Sequence, residues 1–329
     1  MRLENILALT NAKLVNDPFV KNFENIIFEA KHVKRGDLFI AFDETMIEDA
    51  ILNGAYGIIF NKPTQITDTE IAWIKVQDCE DALKRLLRFR LIDKDIKVYE
   101  CNEIVLKLSL QVITDPNFIS VNGDIKEIHN QLWNLEDNYT LLFCPALCDK
   151  DIFTDVKQIS TSLCEPITIM EQTLFETSFI YDNTFYERQL ISPFFMSYLE
   201  ELLHLYKTLK INYRLRKFTP IEHFEAVFTN KNFEIKEFGA SDKVLIFEPN
   251  ASLIDSQISF LQGNANWANT IYIIPHAIDG HEDESIFVYE DSSEILDILK
   301  NNSFHFALVV GVDKSILSKP TVPTQLTLF

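Results

Sequence analysis

The stretch Val33-Lys34-Arg35-Gly36-Asp37-Leu38-Phe39-Ile40-Ala41 decides how the N-terminal third is read. Charged residues and a Gly-Asp step give way at once to an apolar run. Glycine and aspartate form turns, and an aspartate here can cap neighbouring backbone N–H groups. The run Leu38–Phe42 is short enough for a strand buried on both faces. Working outward, Gly57–Phe60 and Ala72–Val76 repeat that pattern, with an amphipathic stretch at Met46–Asn53 between them. In Glu80–Leu91 the residues Ala82, Leu83, Leu86, Leu87 and Leu91 trace a helical stripe. Lys97–Glu100 then reads as a strand and Ile104–Ile113 as a helix. Strands alternating with helices argue an α/β arrangement on a largely parallel or mixed sheet.

Further along, Thr140–Cys144 reads as a strand, Asp151–Ser160 as a helix and Phe179–Leu190 as aromatic β-structure. Pro193 suits the first turn of a long helix over Phe194–Leu209. Phe224–Phe228 and Phe233–Phe238 are expected to form a hairpin around Thr229–Asn232. Val244–Phe247, Ile271–Ile274 and Phe306–Val310 are apolar strands, with helices near Ser252–Gln262 and Ser293–Lys300. That pattern predicts a small three-layer, Rossmann-like α/β domain. The expected organisation is an N-terminal α/β domain over 1–95, a reduced central α/β region over 96–238, a C-terminal domain over 239–318 and an extended tail over 319–329.

The composition narrows the function classes. Hydrophobic residues make up 47% and charged residues 24% of the 329, an ordinary globular balance. No apolar run nears the roughly 18 residues of a membrane span. The opening MRLENILALTNAK lacks the apolar region of a signal peptide. Five scattered cysteines without a C-x-x-C pair suit reduced thiols, so a cytoplasmic protein with no membrane partner is expected. A net charge of −19 repels phosphate backbones, so no direct nucleic-acid partner is expected.

Eight glycines in the whole chain, against a usual share of about 7%, decide more. Phosphate-cradling loops need glycine because backbone N–H groups must approach the anion closely. Neither G-x-x-x-x-G-K-[ST] nor G-x-G-x-x-G occurs. Gly311-Val312-Asp313-Lys314-Ser315 imitates such a loop, but Asp313 replaces the second glycine; a plain strand-to-helix turn is the alternative reading. His276, Asp279, His281, Glu282 and Asp283 fit either a divalent-cation site or a solvated acidic loop, the ordinary case. Cys144-x-x-x-Cys148 lacks a second pair, and no G-x-S-x-G or H-E-x-x-H is present. Hence no catalytic residue, cofactor or metal is assigned.

Three stretches carry a resemblance. Val33–Ala41 resembles the V-x-x-G-D-L-F-x-A signature in the N-terminal domain of the Mur ligases, which join amino acids or D-Ala-D-Ala to a UDP-muramyl substrate. Ala50–Ile59 is similar to the family's A-x-x-x-G-A-x-x-x-[IV] passage. Ile246–Ser252 (IFEPNAS) resembles, more weakly, its D-x-Y-N-A-N-P-x-S turn. The Asp-Ser-Arg preceding the signature appears here as Glu29-Ala30-Lys31. The resemblance implies an N-terminal sugar-nucleotide cleft with Glu29, Lys31 and Asp37 as ligand candidates. For Asp37 a purely fold-forming turn stands as the alternative. The likeness is nearest to the D-alanyl-D-alanine-adding members of the family.

The departure from the family lies in Ile96–Lys107 (IKVYECNEIVLK). There the family's strand leads into T-G-[ST]-x-G-K-[ST]-[ST], which holds ATP and magnesium. Strand and helix are expected here without that loop, and Glu100 and Glu103 stand where phosphates would lie. Acyl-phosphate chemistry requires the ATP. The chain is also shorter than a complete ligase, mostly in the central region. The expectation is a bacterial pseudoenzyme, a binding or scaffold module whose partners are cell-wall synthesis proteins. The alternative is a divergent muramyl-peptide ligase or sugar-nucleotide-handling enzyme of peptidoglycan biosynthesis.

Gln325-Leu326-Thr327-Leu328-Phe329 resembles the Q-L-[SD]-L-F peptide by which bacterial replication and repair proteins dock on the β sliding clamp. Leu328 and Phe329 would supply apolar anchors, and Gln325 a hydrogen bond at the pocket rim. Pro320 and Pro323 stiffen the approach. A terminal strand packed on the protein's own sheet is the alternative.

Overall fold

In the computed structural model, Gly36 adopts φ +101°, the left-handed region that glycine enters without strain. Asp37 follows, 1% exposed. Its Oδ2 accepts the Lys34 N–H at 2.8 Å and its Oδ1 the Asn25 side-chain amide at 2.9 Å. This turn delivers the chain into Leu38–Ile40, where every residue is buried. The structure describes residues 1–159, 166–237, 241–275 and 284–318. The 276–283 cluster and the tail with Gln325, Leu326, Leu328 and Phe329 lie outside the described residues.

The chain divides into two units, the first made of Met1–Leu106 and Asp115–Ile159. One five-stranded sheet of this unit runs in the order Lys13–Leu14, Ala72–Lys75, Gly57–Phe60, Leu38–Ile40, Ile26–Ile27. Only its Lys13–Leu14 edge is antiparallel. Strands buried on both faces read as unbroken apolar runs, as parallel sheets require. The helix Cys79–Leu91 is capped by Asp78, which accepts the Asp81 N–H at 2.8 Å. It buries the expected stripe, Ala82 to Leu91, together with Cys79.

A second, all-parallel sheet has the order Val156–Gln158, Ile96–Glu100, Tyr139–Phe143, Phe118–Ser120. The helix Ile125–Leu132 opens with a capping box between Asp124 and Glu127. A single buried cluster runs from Leu3 to Phe153, through both sheets of this unit.

The second unit holds Lys107–Thr114 and the described residues from 166 onward. Its three-stranded antiparallel sheet comprises Thr168–Gln172, Thr177–Tyr181 and Thr184–Gln189. Pro193 opens a 3-10 turn that continues into the helix Met196–Leu209. A five-stranded sheet follows, in the order Glu225–Thr229, Lys243–Glu248, Phe306–Val310, Thr270–Ile274, Ile286–Val288. Its first strand is antiparallel and the rest are parallel. The helices Ile254–Asn264 and Glu294–Asn301 bury Ile254, Ile258 and Leu261, and Ile295 and Leu299. Among the described residues no helix is long and apolar enough to cross a membrane.

Three expectations are corrected. The helix expected over Ile104–Ile113 ends at Ser109, and Val112–Thr114 pairs antiparallel with Tyr213–Leu215. The β-branched residues there favour a strand once a partner is present. No long helix follows Asp151. Asp149 caps a 3-10 turn over Lys150–Ile152, and Val156–Gln158 extends the sheet beside Ile96–Glu100. Of the hairpin partner expected over Phe233–Phe238, the described residues 233–237 form one bridge, Thr229 to Ile235, beside which the Lys236 N–H donates to the Phe228 carbonyl at 2.8 Å. Asn230 Oδ1 accepts the Asn232 and Glu234 N–H groups at 2.9 and 3.0 Å, curling the segment, and Glu225–Thr229 pairs with Lys243–Glu248 instead.

Candidate functional site

The N-terminal candidates have separate partners. Glu29 and Lys31 form an exposed ion pair at 2.9 Å, with His32 Nδ1 3.5 Å from the same carboxylate. The Lys31 ammonium, through its hydrogen bond first and its charge second, holds the Glu29 carboxyl below the usual range. Asp37 is buried, and each of its oxygens is engaged in the turn around Gly36. Its geometry is that of a turn-holding carboxylate, while Glu29 and Lys31 face solvent.

At the place of the expected phosphate loop, the strand ends at Glu100 and the helix begins at Glu103. Only Cys101 and Asn102 separate them. The Cys101 N–H donates to the Phe143 carbonyl at 2.9 Å. Asn102 Oδ1 accepts the Val105 N–H at 2.9 Å, an N-cap made by a side chain. Glu100 accepts from Gln158 Nε2 at 3.0 Å. A cradle needs a run of amides aimed at an anion, and a two-residue junction with these bonds does not provide one.

The loop imitation at Gly311 is likewise accounted for. Asp313 Oδ1 accepts the Ser315 N–H at 2.7 Å, and Lys314 Nζ pairs with Glu225 at 2.7 Å. That bond and the Glu225 charge raise the Lys314 pKa. Gly311 itself sits at φ +85°, and a Cβ there would lie 2.7 Å from the Tyr289 hydroxyl. Tyr289 in turn donates to the Val310 carbonyl at 2.7 Å. The glycine answers local crowding.

The densest buried polar constellation among the described residues lies at the carboxyl end of Lys243–Glu248. In open α/β sheets that edge is where ligands bind. Glu248 has no exposure. Its Oε1 faces His223 Nδ1 at 2.7 Å and accepts the Asn250 N–H at 2.9 Å. Its Oε2 accepts the Phe224 N–H at 3.1 Å and the Gln257 side-chain amide. Four donors on one buried carboxylate match the desolvation it suffers. They also hold Phe224 at φ +46°, a conformation that a bulky residue adopts only under constraint. In the sequence His223 is one of seven dispersed histidines, and Gln257 is the polar exception on an apolar helix face. Only Glu248 falls within a noted motif. No local signal joins the three, because 25 and 9 residues separate His223 and Gln257 from Glu248.

His223 and Phe224 also wall an apolar cavity of about 170 Å³ in this unit. Among the described residues the cysteines, Cys79, Cys101, Cys144 and Cys148, are all buried. Burial pushes the thiols of Cys79 and Cys148 up to about 11, leaving them protonated and unreactive at neutral pH. Among the described residues, no three His, Cys, Asp or Glu side chains gather in a way that could hold a metal ion.

No family model matches this chain, and no curated protein is similar to it. Among solved structures it is similar to MurF from Acinetobacter baumannii, with TM-score 0.51 and 10% identity over 94% of this chain and 95% of that one. A second crystal structure of that protein gives TM-score 0.48 and 9% identity, covering 97% and 99%. The MurF ligase from Thermotoga maritima in complex with ADP gives 0.47 and 12%, covering 89% and 95%. At such identity the likeness is one of fold, and the first comparison carries it. The chain has a Mur-ligase-like α/β fold.

Proposed function

We propose that this protein is a non-catalytic binding or scaffold module built on a Mur-ligase-like fold. The supporting observation is the two-residue junction Cys101-Asn102, flanked by Glu100 and Glu103. Ligation of a carboxylate to an amine draws on a bound nucleoside triphosphate, whose phosphates need amide donors and cations. This junction supplies carboxylates instead. Glu29 and Lys31 are the exposed charges through which an N-terminal cleft meets a ligand, and Asp37 keeps the signature turn in shape. Peptidoglycan synthesis in a bacterial cytoplasm is the setting that the fold suggests, with cell-wall synthesis proteins as partners.

The test is incubation of the full chain with ATP, magnesium, a UDP-muramyl tripeptide and D-Ala-D-Ala. No phosphate release is expected, and ATP should leave the melting temperature unchanged, since a ligand bound to the native state raises it. Sustained turnover would replace this reading with that of a divergent muramyl-peptide ligase.

The tail is the second contact of the module: Gln325, Leu326, Leu328 and Phe329 dock on the β sliding clamp. Support comes from the pentapeptide and from the stiffening prolines before it. Titration of the clamp with the full chain and with a chain ending at Thr324 checks this. Binding that survives the truncation, or no binding by either form, removes the clamp from the partners.

A further inference from the structure

We infer that the second unit carries a binding pocket for a small amphipathic cation, an apolar ring bearing a protonated amine. The inference is independent of whether the chain binds nucleotide. Phe175, Phe195, Phe224, Phe228, Ile191 and Ile221 provide the apolar walls of the 170 Å³ cavity. The walls are braced against one another: the Phe175 ring centroid lies 6.1 Å from that of Phe224 and 5.8 Å from that of Phe228, the latter edge-on. Pre-formed, mostly apolar concavities of this kind are the usual form of small-molecule sites. An apolar cavity of about 150 Å³ stays dry and accepts a benzene-sized body, so this one has room for a single ring.

The polar groups on its wall mostly have internal partners. Thr173 Oγ1 accepts the Phe175 and Glu176 N–H groups at 3.2 and 2.9 Å. Ser192 Oγ accepts the Phe194 N–H at 3.2 Å. Thr219 bonds to Gln111 through its N–H at 2.8 Å and its hydroxyl at 3.0 Å. These groups do not call for a polar ring.

Glu176 differs. With Thr173 it lines both the apolar cavity and a neighbouring, wetter hollow whose other charged residues are Glu171, Glu187 and Arg188. The two spaces therefore share a wall. Three carboxylates against one guanidinium leave that hollow with a charge of −2. Arg188 approaches Glu176 only to 3.7 Å and is itself 69% exposed in its side chain, so the pair is weak. A ring seated among the phenylalanines thus places its substituent beside a carboxylate whose one cation stands 3.7 Å away on a largely exposed side chain. An ammonium is favoured there and an anion repelled.

Ligand-observed NMR of the full chain with 2-phenylethylamine tests the site, with phenylacetate as the anionic counterpart. The amine should bind saturably, and phenylacetate about tenfold more weakly. Glu176→Gln should erase that preference while toluene, a neutral ring, binds the variant as it binds the parent chain. Ala226→Phe, which fills the cavity, should abolish binding of amine and toluene alike, with unchanged circular dichroism confirming the fold. Equal binding of amine and carboxylate, a preference that survives Glu176→Gln, or no saturable binding of the amine would each overturn the assignment.

Discussion

His129 is 3% exposed, with its ring centroid 4.7 Å from the stacked Trp133 ring and 5.1 Å from Phe28. Neither ring nitrogen has a partner in hydrogen-bond geometry, and a looser interaction with Asn130 offsets burial only in part. Burial pushes its pKa from 6.5 down to about 4. The unfolded chain therefore takes up a proton that the native chain refuses, so acid favours unfolding. Stability conferred by the neutral ring is complete above pH 6.5 and is lost as the pH falls through about 4. The loss amounts to about 3 kcal/mol. Urea denaturation at a series of pH values should show this fall, and His129→Phe should flatten it. An unchanged pH slope in that variant would place the acid sensitivity elsewhere. Neither the burial nor the missing partner is legible in the segment IHNQLW, where a histidine reads equally well as a solvent-facing residue. Asp37 behaves oppositely: its capping role is local, set by Gly36 and Lys34, and the Gly-Asp step announces it.

At the level of elements, strand positions were readable where burial is continuous. Gly57–Phe60 and Phe306–Val310 run over the residues expected of them, because apolar runs with turn signals have one economical use. The first of these depends on its glycine. A Cβ at Gly57 would lie 2.6 Å from Phe23 Cε1 and 3.0 Å from Leu38 Cδ1, and both neighbours are buried. Gly57→Ala should cost about 1–3 kcal/mol through overpacking, measured as a lower denaturation midpoint at unchanged slope. Pairing it with Phe23→Leu should recover part of the loss. Elements whose identity depends on a distant partner carry no such local signal. Val156–Gln158 is a strand because Ile96–Glu100 lies beside it. Thr168–Gln172, exposed at every position, has no alternation to betray it and exists through its pairing with Thr177–Tyr181.

For the whole molecule, a net charge of −19 makes self-repulsion a general term. Raising salt from about 10 mM to about 300 mM shortens the Debye length from about 30 Å to well under 10 Å. The melting temperature at neutral pH should therefore rise with sodium chloride, and a fall would mean that attractive pairs such as Lys314–Glu225 outweigh the repulsion. Composition, turn chemistry and apolar runs by themselves determined the α/β class, the signature turn and the lack of a glycine-rich phosphate loop, because each depends on residues within a few positions of one another. Tertiary structure alone decided that His223, Glu248 and Gln257 share one buried network and that phenylalanines far apart in the chain wall a cavity beside Glu176. Those facts arise from long-range contacts, in which burial and hydrogen-bond partners come from distant segments and leave no local trace.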